Sequence, residues 1–334
     1  MKFGKINHVI LLGGSRCTAE LSLYLKKNNV VKFNLFTSLR QIEDVIYSDG
    51  TKFGEFLKLN EIEFIISKDI NTDLQFLNII TPSTLGIGLG EAWTFTQDVI
   101  YKFQGKLVDL MGIRMPQYRG GAHYSWQILR GNRIGACNIQ LVNKDMVQGV
   151  FDSGEIIKFK EYLFPPKVRI PEDYFNHAVE EEIRFVVEFL QEILENREFL
   201  KMNVQENFSI YFPRLNTIKN AFIDWNWSSL NIEKIICAFD NPYVGATTFI
   251  NEKKVRIKKA RFETNDGPFH PFQFGLIYKI YMGNIYVATA QGTIIISEVL
   301  GEEGNIINTE LKNGDRFYTP QKYMEEALTT KIKY

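Results

Sequence analysis

A chain of 334 residues exceeds what one hydrophobic core ordinarily organises, so two domains are expected. With 45% apolar and 23% charged residues it has a folded globular composition, and no apolar run approaches the ~20 residues of a membrane helix. Lysine plus arginine balance aspartate plus glutamate at 39 each, which weighs against a broad nucleic-acid surface, since phosphate contacts need clustered cations. The N-terminal apolar run is too short for a signal peptide and lacks a small-residue cleavage site. Cys17, Cys137 and Cys237 are scattered without a CxxC pair, as expected of unpaired thiols in a reducing cytoplasm. The histidines form no HExxH or Cys/His pair, so no metal is expected.

Along the chain, His-Val-Ile-Leu-Leu at 8–12 reads as a buried strand ending in Gly13-Gly14-Ser15. A helix over Ala19–Lys27 and a strand over Val30–Thr37 complete a βαβ opening. The Gly-Gly-Ser turn is not GxGxxG; it is either a tight strand-to-helix turn or a close approach to a ligand. Ile62–Ser67 is a further short strand. In Thr84–Phe95 a G-x-G-x-G pattern lacks the position and glycine spacing of a dinucleotide fingerprint. Its glycines, Gly88 and Gly90 among them, are read as letting backbone approach a flat ligand or another loop. Trp93 and Phe95 then either wall that ligand or pack in the core.

After Pro171, residues Val179, Ile183, Val186, Leu190 and Ile193 recur at helical spacing, with Glu180, Glu181, Glu188, Glu192 and Glu195 elsewhere on the wheel. This predicts an amphipathic helix packed on the first domain. Asn203–Asn220, broken by Pro213, reads as a linker. A short helix (Ile232–Phe239) then precedes strand-like runs at Ala246–Ile250, Val255–Ala260, Leu276–Tyr281, Ile285–Ala290 and Thr293–Val299, a small antiparallel barrel or sandwich. Lys253–Arg261 alternates basic and apolar residues, as a solvated strand face or an anionic-ligand surface.

The densest chemistry lies in Gly105–Ile157. A strand over Lys106–Met111 runs into the crowded polar loop Gly112–Trp126, then a helix-like segment, a strand over Ala136–Val142 and the turn Asp152-Ser153-Gly154. Loops after strands are where open α/β sheets place their sites.

Met115-Pro116, Arg119-Gly120 and Asp152-Ser153-Gly154 resemble the N-x-H-x-x-x-L-P-x-x-R-G marker and downstream D-x-G of the formyltransferase family, which includes methionyl-tRNA formyltransferase and the sugar N-formyltransferases. The later sequence is similar too: Tyr211–Leu215, Ile223-Asp224-Trp225, Ala238–Ala246, Val287–Thr289 and Asn313–Phe317 stand as in the OB-like domain of these enzymes. The resemblance implies an α/β fold: a Rossmann-like domain with a mostly parallel sheet (1–202), a linker (203–220) and a smaller OB-like, β-rich C-terminal domain (221–334). It also implies N10-formyltetrahydrofolate as co-substrate and an amine as acceptor. An Asn, a His and an Asp then share oxyanion donation, proton movement and charge orientation.

In this sequence Asp109 stands at the Asn position and Met111 at the His position, while Asp152 keeps its type. An ionised Asp109 cannot donate to an oxyanion; protonated, it can. Met111 carries no proton. His123, at the start of the following helix, is the candidate replacement base, because a helix N-terminus disfavours its charged form. Its alternative role is to bind substrate or hydrogen-bond within the loop. Asp109 and Asp152 are expected in one cleft, where two carboxylates can share a proton. Arg114, Gln117, Tyr118, Arg119, Gly120, Tyr124 and Trp126 suit substrate binding, Arg119 alternatively tying the loop together.

The expected activity is formyl transfer to a nucleotide-linked amino sugar of bacterial surface-glycan synthesis, in the cytoplasm. The expected partner is this small molecule, with no nucleic acid and no membrane, and a homodimer is an open option. The alternatives are an altered or inactive protein of this fold that binds folate or sugar nucleotide, transfer of a different acyl group, and methionyl-tRNA formylation.

Overall fold

In the computed structural model, which describes residues 1–147 and 153–329, the elements follow in chain order. The first fifteen are β1 (His8–Gly13), α1 (Arg16–Asn28), β2 (Lys32–Thr37), α2 (Phe53–Leu59), β3 (Ile65–Ile66), α3 (Leu74–Ile79), β4 (Thr84–Leu89), α4 (Gln97–Lys102), β5 (Leu107–Met111), β6 (Arg119–Gly120), α5 (His123–Arg130), β7 (Ile134–Leu141), α6 (Lys144–Val147), β8 (Ile156–Leu163) and α7 (Pro171–Leu194). Then come β9 (Tyr211–Phe212), α8 (Thr217–Asn220), α9 (Ser229–Ala238), β10 (Ala246–Ile250), β11 (Lys253–Glu263), β12 (Ile277–Tyr281), β13 (Asn284–Thr289), β14 (Gly292–Leu300), β15 (Phe317–Tyr318) and α10 (Gln321–Thr329). They form two compact units. One comprises Met1–Arg119, Ile134–Tyr162 and His177–Ile210; the other comprises Gly120–Arg133, Leu163–Asn176 and Tyr211–Tyr334.

The first unit is built on a seven-stranded sheet of order β3-β2-β1-β4-β5-β7-β8. The pairings β1–β2, β1–β4, β2–β3 and β4–β5 are parallel, and β5–β7 is antiparallel. Strand order reverses at β1, between β2 and β4, the topological switch point at which open α/β sheets leave a crevice. The βαβ opening forms because β1 is an apolar run and Ser15 caps α1, its hydroxyl accepting from the Thr18 N–H at 3.2 Å. Gly13 and Gly14 are required by packing. A Cβ on Gly13 would stand 2.5 Å from the Leu89 carbonyl oxygen, and one on Gly14 would stand 2.4 Å from the Gln41 Cβ. That turn is a strand-to-helix junction.

The glycine-rich stretch after Thr84, whose glycines were read as letting backbone approach a flat ligand or another loop, is a buried strand, β4. Its glycines have a packing reason: a Cβ on Gly86 would lie 2.7 Å from both Phe103 and Leu107. Phe95 is buried in a core cluster with Phe36, Phe76 and Phe103, and Trp93 packs against that same cluster. On α7, Phe185, Val186, Phe189, Leu190 and Ile193 are buried in the sheet's other large cluster, as the helical spacing predicts. Strand β8 was not foreseen. Its outward residues Phe159, Glu161 and Leu163 are exposed, so it carries the mixed pattern of an edge strand.

The second unit centres on a six-stranded sheet of order β12-β13-β14-β11-β10-β15, with antiparallel pairing throughout. It is an antiparallel half-barrel with α9 packed on it. In β11 the alternation places Val255, Ile257 and Ala260 inside and leaves Lys254, Arg256 and Lys258 half-buried on the other face. The segment around α5 belongs to this unit, fixed in part by the Ser125 hydroxyl donating to the Ala238 carbonyl at 2.8 Å. Cys17, Cys137 and Cys237 are buried and free. Among the described residues no helix is long and apolar enough to cross a membrane.

Candidate active site

Parallel and antiparallel registers line up one row of residues across the first unit's sheet: Leu12 opposite Gly88, Gly88 opposite Asp109, and Asp109 opposite Gln140. These four residues share one face, near the carboxyl ends of β1, β4 and β5. Asp109 is 6% exposed, and the Gln140 side-chain N–H donates to its Oδ2 at 3.3 Å. Gly88 leaves the space beside Asp109 open. A Cβ there would stand 2.9 Å from Asp109 Oδ1 and 2.7 Å from Glu91 Oε2. Two carboxylates therefore border one absent methyl group. Gln140 is itself 1% exposed, and its Oε1 is buried with no hydrogen-bond partner.

Met111 occupies the next outward position of β5, opposite Asn138. Asn138, 1% exposed, donates from Nδ2 to the carbonyls of Met111 and Ile113 and so fixes the main chain as it leaves the strand. Its Oδ1 is buried without a partner, as is Gln117 Oε1. Both residues line a cleft of about 700 Å³ whose walls include Met115, Pro116, Ile156 and Phe208. An apolar cleft holding two unsatisfied acceptors suits a ligand that brings N–H or O–H donors.

On the opposite side of the same strand end, a Cβ on Gly112 would stand 1.9 Å from Glu182 Oε1. Burial pushes the Glu182 carboxyl up to about 7. It lies among Cys17, Cys137 and Tyr162, whose ionisation is suppressed first by burial and then by negative neighbours, Glu182 for the two thiols and Cys137 followed by Glu182 for Tyr162.

The remaining residues singled out from sequence make local bonds. Arg114 pairs with Glu161, and its carbonyl accepts from the Tyr118 N–H at 2.9 Å. Tyr118 is buried. Arg119 donates from Nη1 to Glu206 Oε2 at 2.6 Å and to Ser209 Oγ at 3.4 Å, so it ties its loop to the 206–209 segment. Gly120 has φ +107°, and a Cβ there would meet the Phe212 carbonyl oxygen at 2.0 Å. Trp126 donates from Nε1 to the Pro213 carbonyl at 2.8 Å and packs on Phe212. Gly90, at φ +75°, turns the chain out of β4, and its carbonyl accepts from Gln41 Nε2 at 2.7 Å.

His123 opens α5, and its ring lies 4.0 Å from that of Tyr124, which also contacts Phe164 and Tyr174. The His123 Nε2 is buried without a hydrogen-bond partner, and burial lowers the imidazole to about 4. It is neutral at neutral pH. Asp152 lies outside the described residues; its neighbour Gly154 is a close-approach position, a Cβ there standing 1.9 Å from the Leu141 carbonyl oxygen.

The structure thus brings Gly88 to Asp109, as one polar cluster, and adds Glu91, Gln140, Asn138 and Glu182, which sequence reading passed over. A signal existed for three of them. Asn138 and Gln140 are polar at period two in an otherwise apolar strand. Glu182 sits three or four residues from Ala178, Val179, Phe185 and Val186, on the buried stripe of α7. Among the described residues no group of three or more His, Cys, Asp or Glu is placed to hold a metal ion.

Residues 217–316 match the family model described as "Formyl transferase, C-terminal domain". The chain is 26% identical over 188 residues to the bifunctional polymyxin resistance protein ArnA of Wigglesworthia glossinidia brevipalpis, a match covering 55% of this chain and 28% of that protein. It is 26% identical over 249 residues to the methionyl-tRNA formyltransferase of Blochmanniella floridana, covering 72% of this chain and 69% of that one. Its fold is similar to that of an N-formyltransferase from Helicobacter canadensis solved with folinic acid and dTDP-3-aminofucose. The TM-score is 0.64 and the identity 16%, over 87% of this chain and 98% of the other. Residues 217–316 thus match the C-terminal domain of formyl transferases, and the chain as a whole is similar in sequence and in fold to formyltransferases.

Proposed function

We propose that this chain transfers a formyl group from N10-formyltetrahydrofolate to the amine of a nucleotide-linked amino sugar. The observation that carries the reading is the row Gly88–Asp109–Gln140 at the switch point, where a side-chain-free residue, a buried carboxyl and an unsatisfied amide oxygen converge. A buried acceptor without a donor fits a ring carrying N–H groups, and Gly88 leaves room for it. In this reading Gly88, Gly90, Trp93 and Gln140 hold the folate. Bound there, the folate supplies an activated formyl carbon.

The chain's own residues then divide the work. Asp109 presents its carboxyl to the oxygen that gains charge in acyl transfer, and Asp152 orients the amine and balances its charge. His123, neutral because buried, keeps its place as a candidate proton acceptor. The cleft beside Met115–Gln117 takes the acceptor, with Arg114, Tyr118 and Arg119 shaping its surroundings. The sugar-nucleotide complex of the Helicobacter canadensis relative supports a small acceptor, and the equal numbers of basic and acidic residues support it over an RNA.

The test is direct. Purified protein is incubated with N10-formyltetrahydrofolate and a panel of nucleotide-linked amino sugars, and tetrahydrofolate release is followed. Turnover with at least one sugar is expected. Turnover with methionyl-tRNA alone overturns the choice of acceptor. A second reading, a protein that binds these ligands without chemistry, is favoured by Met111 and Asp109 standing at the His and Asn positions; tight binding of both ligands with no turnover on any acceptor establishes it instead.

A further inference from the structure

Strand β7 carries Asn138 and Gln140 on one face of an otherwise apolar run, about 7 Å apart along the strand, the spacing of residues i and i+2. Gln140 stands opposite Asp109; Asn138 stands opposite Met111 and lines the cleft beside Met115 and Gln117. The orientation of the Asn138 amide is fixed by its neighbours. Its Nδ2 donates to the carbonyls of Met111 and Ile113, and a reversed amide would set oxygen against both. Oδ1 is therefore the atom left without a partner, in a residue only 1% exposed. Gln117 Oε1 is a second buried, unbonded acceptor of the same cleft. An acceptor stranded in this way costs about 1–3 kcal/mol until a ligand supplies a donor.

The lining decides what kind of group that ligand brings. Among the described residues that form the cleft, none is charged. Its polar members are the carboxamides of Gln117, Asn138, Asn203 and Gln205, and the rest are apolar, with Met115 and Ile156 buried. A diphosphate finds no cation there and an ammonium no carboxylate, so a charged group would lose its hydration without compensation. A carboxamide both donates and accepts, and the neutral group that matches several of them is another amide. Reach excludes a nucleobase. On the formyl-transfer reading the acceptor's amine lies at Asp109, and a base is separated from it by a sugar and two phosphates. Asn138 is only two strand residues from the Asp109–Gln140 pair, so the group in the cleft is attached to the sugar itself.

We infer that this cleft is a subsite for an N-acylamino group carried by the acceptor sugar in addition to its free amine, an assignment that rests on the formyl-transfer reading. The amide N–H donates to Asn138 Oδ1, and a neighbouring ring hydroxyl donates to Gln117 Oε1. The acyl methyl lies against Met115 and Ile156, and the carboxamides of Asn203 and Gln205, exposed at the rim, donate to the acyl carbonyl. Gln117 and Asn138 are in this way specificity-determining residues: they select the sugar by a group that takes no part in the reaction. The acceptor class narrows to diamino sugars with one nitrogen acylated and the other free.

The experiment measures binding of the full chain, by calorimetry, to dTDP- and UDP-linked hexoses that carry an acetamido group at each ring carbon in turn. Each is compared with its hydroxyl counterpart. None has a free amine, so the comparison is made without turnover. At one ring carbon the acetamido sugar is expected to bind about tenfold tighter than the hydroxyl sugar, from one buried methyl and one further hydrogen bond. That ligand should also shift the side-chain amide NMR signals of Asn138, and the bare nucleoside diphosphate should not. Gln117→Met, nearly isosteric and at a half-buried position, should weaken the preferred sugar several-fold and leave dTDP and UDP binding unchanged. No preference at any ring carbon overturns the subsite, and this result comes from the wild-type chain alone. Asn138 signals that move with the nucleoside diphosphate alone give the cleft to the base, and signals that move with folinic acid alone give it to the folate; either overturns the inference. So does a Gln117→Met chain that binds the preferred sugar as before. The acetamido preference with no formyl transfer to any amino sugar sustains the subsite and removes the formyl-transfer reading; formyl transfer without the preference does the reverse.

Discussion

Two regions of the molecule treat their polar side chains very differently. At the strand ends, Asp109, Gln140 and Asn138 are almost wholly buried, yet Gln140 Oε1 and Asn138 Oδ1 bond to nothing in the chain. In the loop from Arg119 to Trp126 several donors are committed to protein partners, Arg119 to Glu206 and Ser209, Trp126 to the Pro213 carbonyl and Ser125 to the Ala238 carbonyl, while His123 Nε2 is buried without one. Buried polar atoms are normally satisfied, so the unsatisfied ones mark where a ligand belongs. The difference teaches that Arg119, Ser125 and Trp126, recognisable in the sequence, hold their loop in shape, while Gln140 and Asn138, which sequence reading passed over, keep buried acceptors open.

Four replacements break or sharpen that contrast. The largest effect is expected of Asp109→Ala: a fall in kcat of about 10²–10³-fold, the usual loss on deleting an oxyanion donor, with little change in the thermal midpoint. A large loss of stability with kcat unchanged would make Asp109 architectural and erase the contrast from one side. Gly120→Ala should act in the opposite sense. Its φ of +107° and the 2.0 Å approach to Phe212 leave a side chain no place, so a cost of about 2–3 kcal/mol in urea unfolding is expected.

Glu182→Gln tests the buried acid behind the strand end. Its carboxyl is pushed up to about 7 by burial, above its value in the unfolded chain. The native state therefore favours the protonated form, and stability present at low pH is lost as pH rises from the ordinary carboxyl range through 7. The amide removes that loss, so the variant should be more stable at pH 8 by on the order of 2 kcal/mol and no more stable near pH 4. Unfolding curves at the two pH values decide it; equal gains at both would mean that packing, not titration, is responsible. The smallest effect is expected of Trp126→Phe, which removes one hydrogen bond and costs about 1 kcal/mol with KM and kcat unchanged. A rise in KM with unaltered stability would return Trp126 to the substrate.

Much of the fold was legible because it rests on local pattern. The run at 8–12 and the stripe on α7 each say strand or helix without reference to the rest of the chain. The site was legible only where the family marker runs through it. Gly88 was noticed as a glycine, but its reason, two carboxylates meeting across it, depends on β4 lying beside β5, a long-range fact that spacing does not carry. Glu182 could have been found as the one acid among Ala178, Val179, Phe185 and Val186, yet a glutamate in a glutamate-rich helix is easily read as surface. Strand β8 escaped for a related reason: half its residues face outward, so charged and apolar positions interleave at the sheet's edge.

The Asn138 clasp has a practical consequence. It grips carbonyl oxygens of residues 111 and 113, not their side chains, so the path of the chain out of β5 is set independently of what stands at 109 and 111. Those two positions behave as interchangeable sockets on a fixed mount. Two codon changes, Asp109→Asn and Met111→His, would then place the pair that the marker resemblance implies on an unaltered backbone, and the same scaffold could be compared with itself under two different proton economies.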